Sequence, residues 1–247
     1  MTHTTDPSHP ENDPPGTHPG EYTHGARWAI AGGLVLAGMA LFPLDPVIYD
    51  AVRGVGMKLG GDVVRELEAL QQFGGVSSVV IVTLVVWLGD AGRRARLLDL
   101  LAAFVCTGVV VQVLKMIIGR PRPKFDDPGM VLWPFGRYPM PDADPPGVYH
   151  AWEVWEDISS DLWSMPSSHT SAAVVLAVFV GVVYPKLRPL AIALAGIVAV
   201  ARVLLGAHYP SDVLVGAGAG FLVAHAAVRG GWGVRLLGGG AKRTTAD

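Results

Sequence analysis

The run 97-LLDLLAAFVCTGVVVQVLKMII-118 decides the fold class of this chain. A helix needs roughly 20 consecutive, mostly apolar residues to cross the hydrocarbon core of a bilayer, and this run has that length. Its charged side chains are Asp99, near the start, and Lys115, about one turn before the end, where a lysine stem can reach toward the membrane surface. The run therefore predicts a membrane-spanning helix.

Five further apolar segments repeat this pattern elsewhere in the chain. They cover Trp28–Leu44, Phe73–Leu88, Thr170–Tyr184, Leu190–Leu205 and Asp212–Val228. Several are shorter than a comfortable span, so we expect their helices to extend past these limits. The predicted fold class is all-α: a polytopic membrane protein with six transmembrane helices and an extramembrane loop between helices three and four.

The polar ends of the chain set the domain limits. Residues 1–26 are rich in Pro, Thr, His and Asp and have no apolar period, which is typical of a disordered polar tail. We expect one six-helix membrane domain over residues 27–229, followed by a short cytoplasmic tail over residues 230–247.

The composition excludes several classes of protein. Of the 247 residues, 51% are hydrophobic and only 16% are charged, and an apolar excess of this size argues against a freely soluble globule. The 19 basic and 21 acidic residues nearly cancel, so no basic field for nucleic acid is expected. The single Cys106 excludes an internal disulfide and a Cys-rich zinc site.

Basic residues in the short connections predict the orientation. The connections after the second, fourth and sixth segments, which fall on one face if segments alternate sides, carry Arg93, Arg94, Arg96, Lys186, Arg188, Arg229, Arg235, Lys242 and Arg243. The positive-inside rule makes that face cytoplasmic. Arginine outnumbers lysine by 14 to 5, which hints at a bacterial high-GC genome and hence at a bacterial inner membrane.

The long loop between Gly119 and Met165 lies on the opposite, periplasmic or extracellular, face. It contains many acidic residues and four of the seven tryptophans, which are Trp133, Trp152, Trp155 and Trp163. Because tryptophan prefers the membrane–water boundary, we expect this loop to lie along the lipid headgroups. Packing against the helix bundle and covering the substrate as a lid are equally compatible with the pattern.

The first polar cluster, Lys115 to Pro123, follows the third segment. Alternating prolines in Arg120-Pro-Arg122-Pro hold the backbone extended, so both guanidinium groups project from a stiff strap. Fork-shaped donors suit a phosphate, although arginines next to a membrane also contact lipid headgroups. For Arg120 we weigh contact with a second phosphate or headgroup against simple extension to the interface.

The second cluster, Pro166-Ser-Ser-His169, precedes the fourth segment. Pro166 stops an upstream helix and Ser167 is a good N-cap, so the first N–H groups of the next helix point outward and favour an anion. His169 lies in the first turn, within reach of whatever this helix end binds. A plain serine cap with an incidental histidine is the structural alternative.

The third cluster joins Arg202, His208 and Asp212. A charge within an apolar helix costs free energy, so Arg202 needs a partner. His208 falls in a tight turn, and the Asp212 carboxylate in the first turn of the next helix can hold one imidazole nitrogen. That contact fixes the tautomer and leaves the other nitrogen to attack, which makes histidine a nucleophile.

Together the three clusters resemble the type 2 phosphatidic acid phosphatase superfamily. Its pattern is Lys-x6-Arg-Pro, then Pro-Ser-Gly-His, then Ser-Arg-x5-His-x3-Asp, and the similarity extends over approximately residues 28–228. This chain departs from the pattern twice, with Ser168 in place of the glycine and Ala201 in place of the serine before the arginine. We expect both departures to tune the site without abolishing it.

The resemblance implies a mechanism residue by residue. His208 would attack phosphorus and form a phosphohistidine, Asp212 would orient it, and His169 would protonate the leaving group. Lys115, Arg122, Arg202, Ser167 and the N–H of Ser168 would hold the phosphoryl oxygens. Three fixed cations can replace a metal ion, and no carboxylate cluster suits magnesium, so we expect no metal and no cofactor.

The implied substrate is a lipid phosphate or pyrophosphate, and the candidates are phosphatidic acid, phosphatidylglycerophosphate and undecaprenyl pyrophosphate. Two alternatives stay open: a lipid phosphotransferase that uses the same site, and a catalytically degraded lipid-binding protein. The related vanadium-dependent haloperoxidases are soluble, which the apolar segments argue against. The expected partners are the substrate lipid and the membrane, with the oligomeric state left open.

Overall fold

A computed structural model describes residues 24–56, 58–156, 158 and 160–237 of the chain. In this part of the chain the helices are α1 (His24–Leu41), α2 (Asp45–Gly56), α3 (Gly61–Leu70), α4 (Val76–Gly89), α5 (Leu97–Ile118), α6 (Ser168–Val183), α7 (Arg188–Leu204), α8 (Pro210–Gly230) and α9 (Trp232–Leu237). Two short strands, β1 (Tyr138–Met140) and β2 (Gly147–Tyr149), lie in the long loop. The architecture is therefore overwhelmingly helical, as predicted.

Within the part of the chain that the structure describes, four helical stretches are long and apolar enough to cross a membrane. They are Gly25–Gly56, Ala91–Ile118, Pro185–Leu204 and Pro210–Gly230. The pair α3 and α4 qualifies only as one bent span, because its two parts meet at an angle of 61°, and α6 is apolar but only 16 residues long. The protein is an integral membrane protein, but length and composition give four or five spans and do not confirm six.

Helical structure extends past both limits predicted for the membrane domain. Helix α1 begins at His24, so residues 24–26, which the prediction assigns to the polar tail, are helical. Helix α9 lies inside the predicted C-terminal tail, where the N–H of Val234 donates to the Asp99 carboxylate at 3.1 Å. Residues 1–23 and 238–247 lie outside the described residues.

Helix α8 lies at the centre of the bundle and contacts α1, α5, α6 and α7. Small residues allow the close packing of α8 on α6: a Cβ at Gly216 would lie 2.7 Å from the carbonyl oxygen of Ser167. The same approach brings the N–H of Ser167 to 3.0 Å from the carbonyl oxygen of Asp212. The starts of α6 and α8 are thus fixed side by side at one end of the bundle.

The basic connections gather at the other end of the bundle. Arg96, at the start of α5, donates to the carbonyl oxygen of Val228 near the end of α8 at 2.7 Å and pairs with Asp99 at 2.9 Å. The three polar clusters and these basic connections therefore occupy opposite ends, as the alternation of segments predicts. Which end faces the cytoplasm stays a prediction.

The long loop folds on a small core of its own. Strand β1 pairs antiparallel with β2, with Pro139 opposite Val148. The core consists of Leu132, Tyr138, Met140, Ala143, Tyr149, Ala151, Ile158 and Leu162. Trp163 joins the loop to the bundle, because its carbonyl oxygen accepts a hydrogen bond from the Lys115 ammonium at 2.9 Å. The loop therefore packs on the bundle, while Trp133 and Trp155 remain largely exposed.

Candidate active site

His208 lies in the tight turn between α7 and α8. Its N–H donates to the carbonyl oxygen of Arg202 at 3.1 Å, which links the turn to the last part of α7. The imidazole is buried, and its Nδ1 lies 3.6 Å from Oδ2 of Asp212 in the first turn of α8. The two side chains therefore face each other as predicted, at a separation slightly longer than a hydrogen bond.

Asp212 is held by three donors besides its histidine partner. Its Oδ1 accepts from the Arg120 guanidinium at 2.7 Å. Its Oδ2 accepts from the Ser164 hydroxyl at 2.5 Å and from the N–H of Tyr209 at 2.9 Å. Because the carboxylate is fully buried and every donor is fixed, its orientation toward His208 is defined.

Burial lowers the pKa of His208 from about 6.5 to about 4. The Asp212 carboxylate opposes this effect, whereas the positive charges of Arg202 and Arg122 add to it. The imidazole is consequently neutral at pH 7, which is the form that carries a lone pair for attack. Asp212 faces Nδ1, so that lone pair belongs on Nε2.

Ser167 caps helix α6 as predicted. Its hydroxyl oxygen accepts from the N–H of Thr170 at 3.4 Å and from the Thr170 hydroxyl at 3.1 Å. Ser168, the first helical residue, has an exposed side chain, and His169 follows it. A Cβ at Gly74 would lie 2.1 Å from the carbonyl oxygen of His169, so only glycine permits the turn before α4 to support this helix start.

The three predicted cations are each anchored by a fixed acceptor. Lys115 is almost fully buried at the end of α5 and donates to Trp163, as above. Arg122 donates through Nε to the carbonyl oxygen of Ser160 at 2.8 Å, and Arg202 donates to the side-chain oxygen of Gln71 at 2.7 Å. These contacts preorganise all three positive charges.

Electrostatics shows that the three clusters converge. The charges of Lys115, Arg122 and Arg202 all act on the imidazole of His169. Those of Arg122 and Arg202 also act on His208. Arg122 and Arg202, which are 80 residues apart in the sequence, therefore both lie within electrostatic range of the two histidines. Among the described residues, no group of three or more His, Cys, Asp and Glu side chains is arranged so that it could hold a metal ion.

Arg120 corrects an expectation. The sequence suggested a second phosphate contact or extension to the interface, but the side chain is fully buried and forms ion pairs with Asp212 at 2.7 Å and with Asp45 at 2.8 Å. A guanidinium so engaged has no access to substrate or to lipid headgroups. It belongs to the support of the site.

Three residues that the sequence did not reveal support this site: Asp45, Ser164 and Gln71. Each contacts a predicted residue from a distant part of the chain. Of these three, only Asp45 has an unusual position in the sequence, since it is an acidic residue directly after an apolar segment. The sequence does not indicate which residue it would contact.

The site and the fold have counterparts among known proteins. Residues 96–235 match the family model described as the PAP2 superfamily. A lipid A 1-phosphatase from Rhizobium etli is 27% identical over 207 residues, which cover 77% of this chain and 79% of that protein. A second lipid A 1-phosphatase, from Rhizobium johnstonii, is 32% identical over 114 residues, which cover 45% of this chain and 38% of that protein.

Two crystal structures share the fold. A PAP2-type phosphatidylglycerolphosphate phosphatase from Bacillus subtilis aligns with a TM-score of 0.56 and 19% identity, over 88% of this chain and 98% of that one. LpxE from Aquifex aeolicus aligns with a TM-score of 0.52 and 18% identity, over 73% of this chain and 93% of that one. The predicted resemblance and enzyme class, a membrane phosphatase, are thereby confirmed. The family match extends over more than half of the sequence and includes all three polar clusters, so this chain belongs to the PAP2 superfamily.

Proposed function

We propose that the protein hydrolyses phosphate esters of lipids through a phosphohistidine on His208. The observation that carries this proposal is the neutral, buried imidazole held 3.6 Å from the Asp212 carboxylate and surrounded by fixed positive charge. A neutral imidazole is a competent nucleophile, and the cations suit the phosphoryl oxygens.

In the first step, the Nε2 lone pair of His208 attacks phosphorus. A P–N bond forms as the P–O bond to the lipid breaks, and His169 gives a proton to the departing oxygen. Without substrate, burial and the charges of Arg202, Lys115 and Arg122 lower the pKa of His169 to about 4. The bound phosphate dianion offsets those positive charges, so His169 takes up its proton when the substrate binds. The imidazole ring becomes positively charged, and the Asp212 carboxylate stabilises that charge.

Lys115, Arg122 and Arg202 supply the stabilisation of the transition state. Phosphoryl transfer spreads negative charge over three equatorial oxygens, so positioned cations provide most of the stabilisation of the transition state. The N–H of Ser168 at the start of α6 offers a further donor, in the place where the helix dipole favours an anion.

In the second step, a water molecule attacks the phosphohistidine. His169, now neutral, accepts the proton of that water, the P–N bond breaks, and inorganic phosphate leaves. His208 is restored as a neutral imidazole and His169 is protonated again, so the cycle needs no other proton carrier.

A lipid substrate is supported by an apolar cleft beside His169. The cleft has a volume of about 320 Å³ and is lined by Phe104, Thr107, Gly108 and Val111 of α5, among others. An apolar chain attached to the leaving oxygen fits this position, because His169 protonates that oxygen.

We propose the 1-phosphate of lipid A as the first substrate to test. The sequence relative that is similar over most of both chains carries that activity in its name. Phosphatidic acid, phosphatidylglycerophosphate and undecaprenyl pyrophosphate are the comparison substrates. We further propose that the site faces the periplasmic or extracellular side of a bacterial inner membrane.

The test measures phosphate release by the purified full chain in detergent with EDTA. We expect release from at least one of these four lipids, with His208→Ala inactive and His150→Ala, a change in the long loop, equal to the parent. Equal rates for His208→Ala and the parent would overturn the mechanism. With radiolabelled substrate, label that passes to an added lipid alcohol instead of water would identify a phosphotransferase.

A further inference from the structure

We infer that Asp45, acting through Arg120, is a positioning residue that sets the orientation and the effective charge of Asp212. The inference rests on the proposed function, because it concerns the partner of the nucleophile. Asp45 lies at the start of α2, outside residues 96–235 that match the family. No motif of the sequence includes it.

The Arg120 guanidinium bridges the two carboxylates. Its Nη1 donates to Asp212 Oδ1 at 2.7 Å and to the Ser211 hydroxyl at 2.7 Å. Its Nη2 donates to Asp45 Oδ2 at 2.8 Å and to the carbonyl oxygen of Pro128 at 2.6 Å. Both carboxylates and the guanidinium are completely buried. Rotation of Arg120 would break several of these bonds at once, so its position is determined.

Ser211 ties Asp45 directly to the start of α8. The N–H of Ser211 donates to Asp45 Oδ1 at 3.0 Å, and its hydroxyl donates to Asp45 Oδ2. Asp212 is the next residue along the chain. Asp45 therefore holds the helix turn that presents Asp212, both through the backbone and through Arg120.

Aromatic rings shield this network from water. The Arg120 guanidinium lies 4.4 Å from the ring centre of Phe42 and 4.2 Å from that of Tyr209, on which Tyr49 packs edge-on. Electrostatic interactions are strong in such surroundings, so the balance of charge among these groups decides what His208 experiences.

The charge balance gives Asp45 a catalytic consequence. Arg120 alone would neutralise Asp212, whereas Asp45 returns the group of three to a net charge of −1. The positive charges of Lys115, Arg122 and Arg202 also act on the His208–Asp212 pair. The titratable Tyr209 interacts with Asp212, and the Asp161 carboxylate interacts with Arg122. Without Asp45, Asp212 would share its charge with Arg120 alone and the surroundings of the imidazole would become more positive by one unit, which opposes the charge that the imidazole acquires on phosphorylation.

The test compares Asp45→Asn with Asp50→Asn, the same change at an exposed position of α2. We expect Asp45→Asn to lower kcat at least about tenfold with little change in KM, since it affects the nucleophile and not the phosphate contacts. We expect Asp50→Asn to match the parent.

The acid limb of the pH profile of kcat/KM separates positioning from simple structural support. Asp45→Asn makes the surroundings of His208 more positive and moves this limb to lower pH. Arg120→Gln makes them more negative and moves it to higher pH. The double variant Asp45→Asn/Arg120→Gln restores the charge and returns the limb toward that of the parent. A purely structural network would lower the amount of active enzyme without these opposite shifts.

Size-exclusion chromatography and thermal unfolding report whether each variant is folded. If Asp45→Asn does not fold, Arg120→Gln decides: a shift to higher pH supports the inference, and an unmoved limb overturns it. If neither single variant folds, the network is structural and the inference is wrong. An inactive parent would instead refute the proposed function, whereas an active parent with an unchanged Asp45→Asn refutes this inference alone.

Discussion

Asp212→Asn is the sharpest test of the active-site chemistry. The substitution keeps the shape of the side chain and removes one negative charge. The new amide group also lies among hydrogen-bond donors, because Arg120, Ser164 and the N–H of Tyr209 all donate to the two carboxylate oxygens in the parent. Whichever way the amide turns, its N–H₂ group faces a donor, so the orientation of the side chain is weakened as well.

The expected loss of rate follows from the distance between the two groups. Asp212 Oδ2 lies 3.6 Å from His208 Nδ1. We take this distance as the separation between the carboxylate and the positive charge of the proposed phosphohistidine. At this separation two unit charges interact by about 4.6 kcal/mol for an effective dielectric constant of about 20. A loss of that size in the transition state corresponds to a decrease in kcat of roughly 10³-fold.

The assay is phosphate release in detergent, with kcat and KM measured for parent, Asp212→Asn and the exposed control Asp50→Asn. Asp212 raises the pKa of His208 against the effect of burial, so its removal moves the acid limb of kcat/KM to a lower pH than in the parent. If Asp212→Asn keeps kcat within tenfold of the parent while fully folded, the carboxylate does not stabilise the nucleophile and the reasoning is refuted.

Three further predictions concern the histidine, one cation and the departure from the family pattern. The pKa of His208 is about 4 in the folded protein and about 6.5 in the unfolded chain. Between these two pH values the unfolded state therefore binds one more proton than the folded state. As a result, the free energy of unfolding decreases by about 3 kcal/mol as the pH falls from 6.5 to 4. Thermal unfolding of His208→Gln should lack that part of the pH dependence, and an unaltered dependence would contradict the assignment. Lys115→Met should lower kcat/KM about 10²-fold, because it removes a proposed phosphate contact. Lys186→Met, which changes an exposed lysine at the other end of the bundle, should leave kcat/KM unchanged. Equal kcat/KM values for Lys115→Met and the parent would exclude a role for Lys115. Ser168→Gly, which restores the family residue at an exposed position, should change kcat/KM less than about threefold, and a larger change would show that the hydroxyl takes part.

The sequence predicts the long helices well because membrane length imposes a strong pattern. Helix α5 has the predicted limits, and α6, α7 and α8 each begin two residues before the predicted ones. Helices α2 and α3 were not predicted, because residues 45–70 mix charges with apolar residues and show no clean span. The β-hairpin was also missed, since strands of three residues carry too little alternation to be recognised.

The active site likewise contains residues that the sequence predicts and residues that it does not. Residues within one motif, such as His208 and Asp212, follow from spacing along a turn and a helix start. The supports do not, because Arg120 meets Asp45 across 75 residues, and nothing in the local sequence of either indicates the other. An arginine beside a membrane therefore suggested the interface, whereas its buried partners place it behind the active site.

The cost of this network argues for an active enzyme and against a degraded lipid-binding protein. Asp45, Arg120 and Asp212 are completely buried, and Lys115 is nearly so. Replacing a buried ion pair with apolar residues of similar volume is often neutral or stabilises a fold by about 1–4 kcal/mol. Buried charges of this kind therefore add little stability to a helix bundle that has no catalytic function. The two departures from the family pattern leave them untouched, since the Ser168 side chain is exposed and Ala201 lies within α7. Buried charges cost free energy, and here they surround one imidazole. Such an arrangement is typical of a site that stabilises a charged transition state.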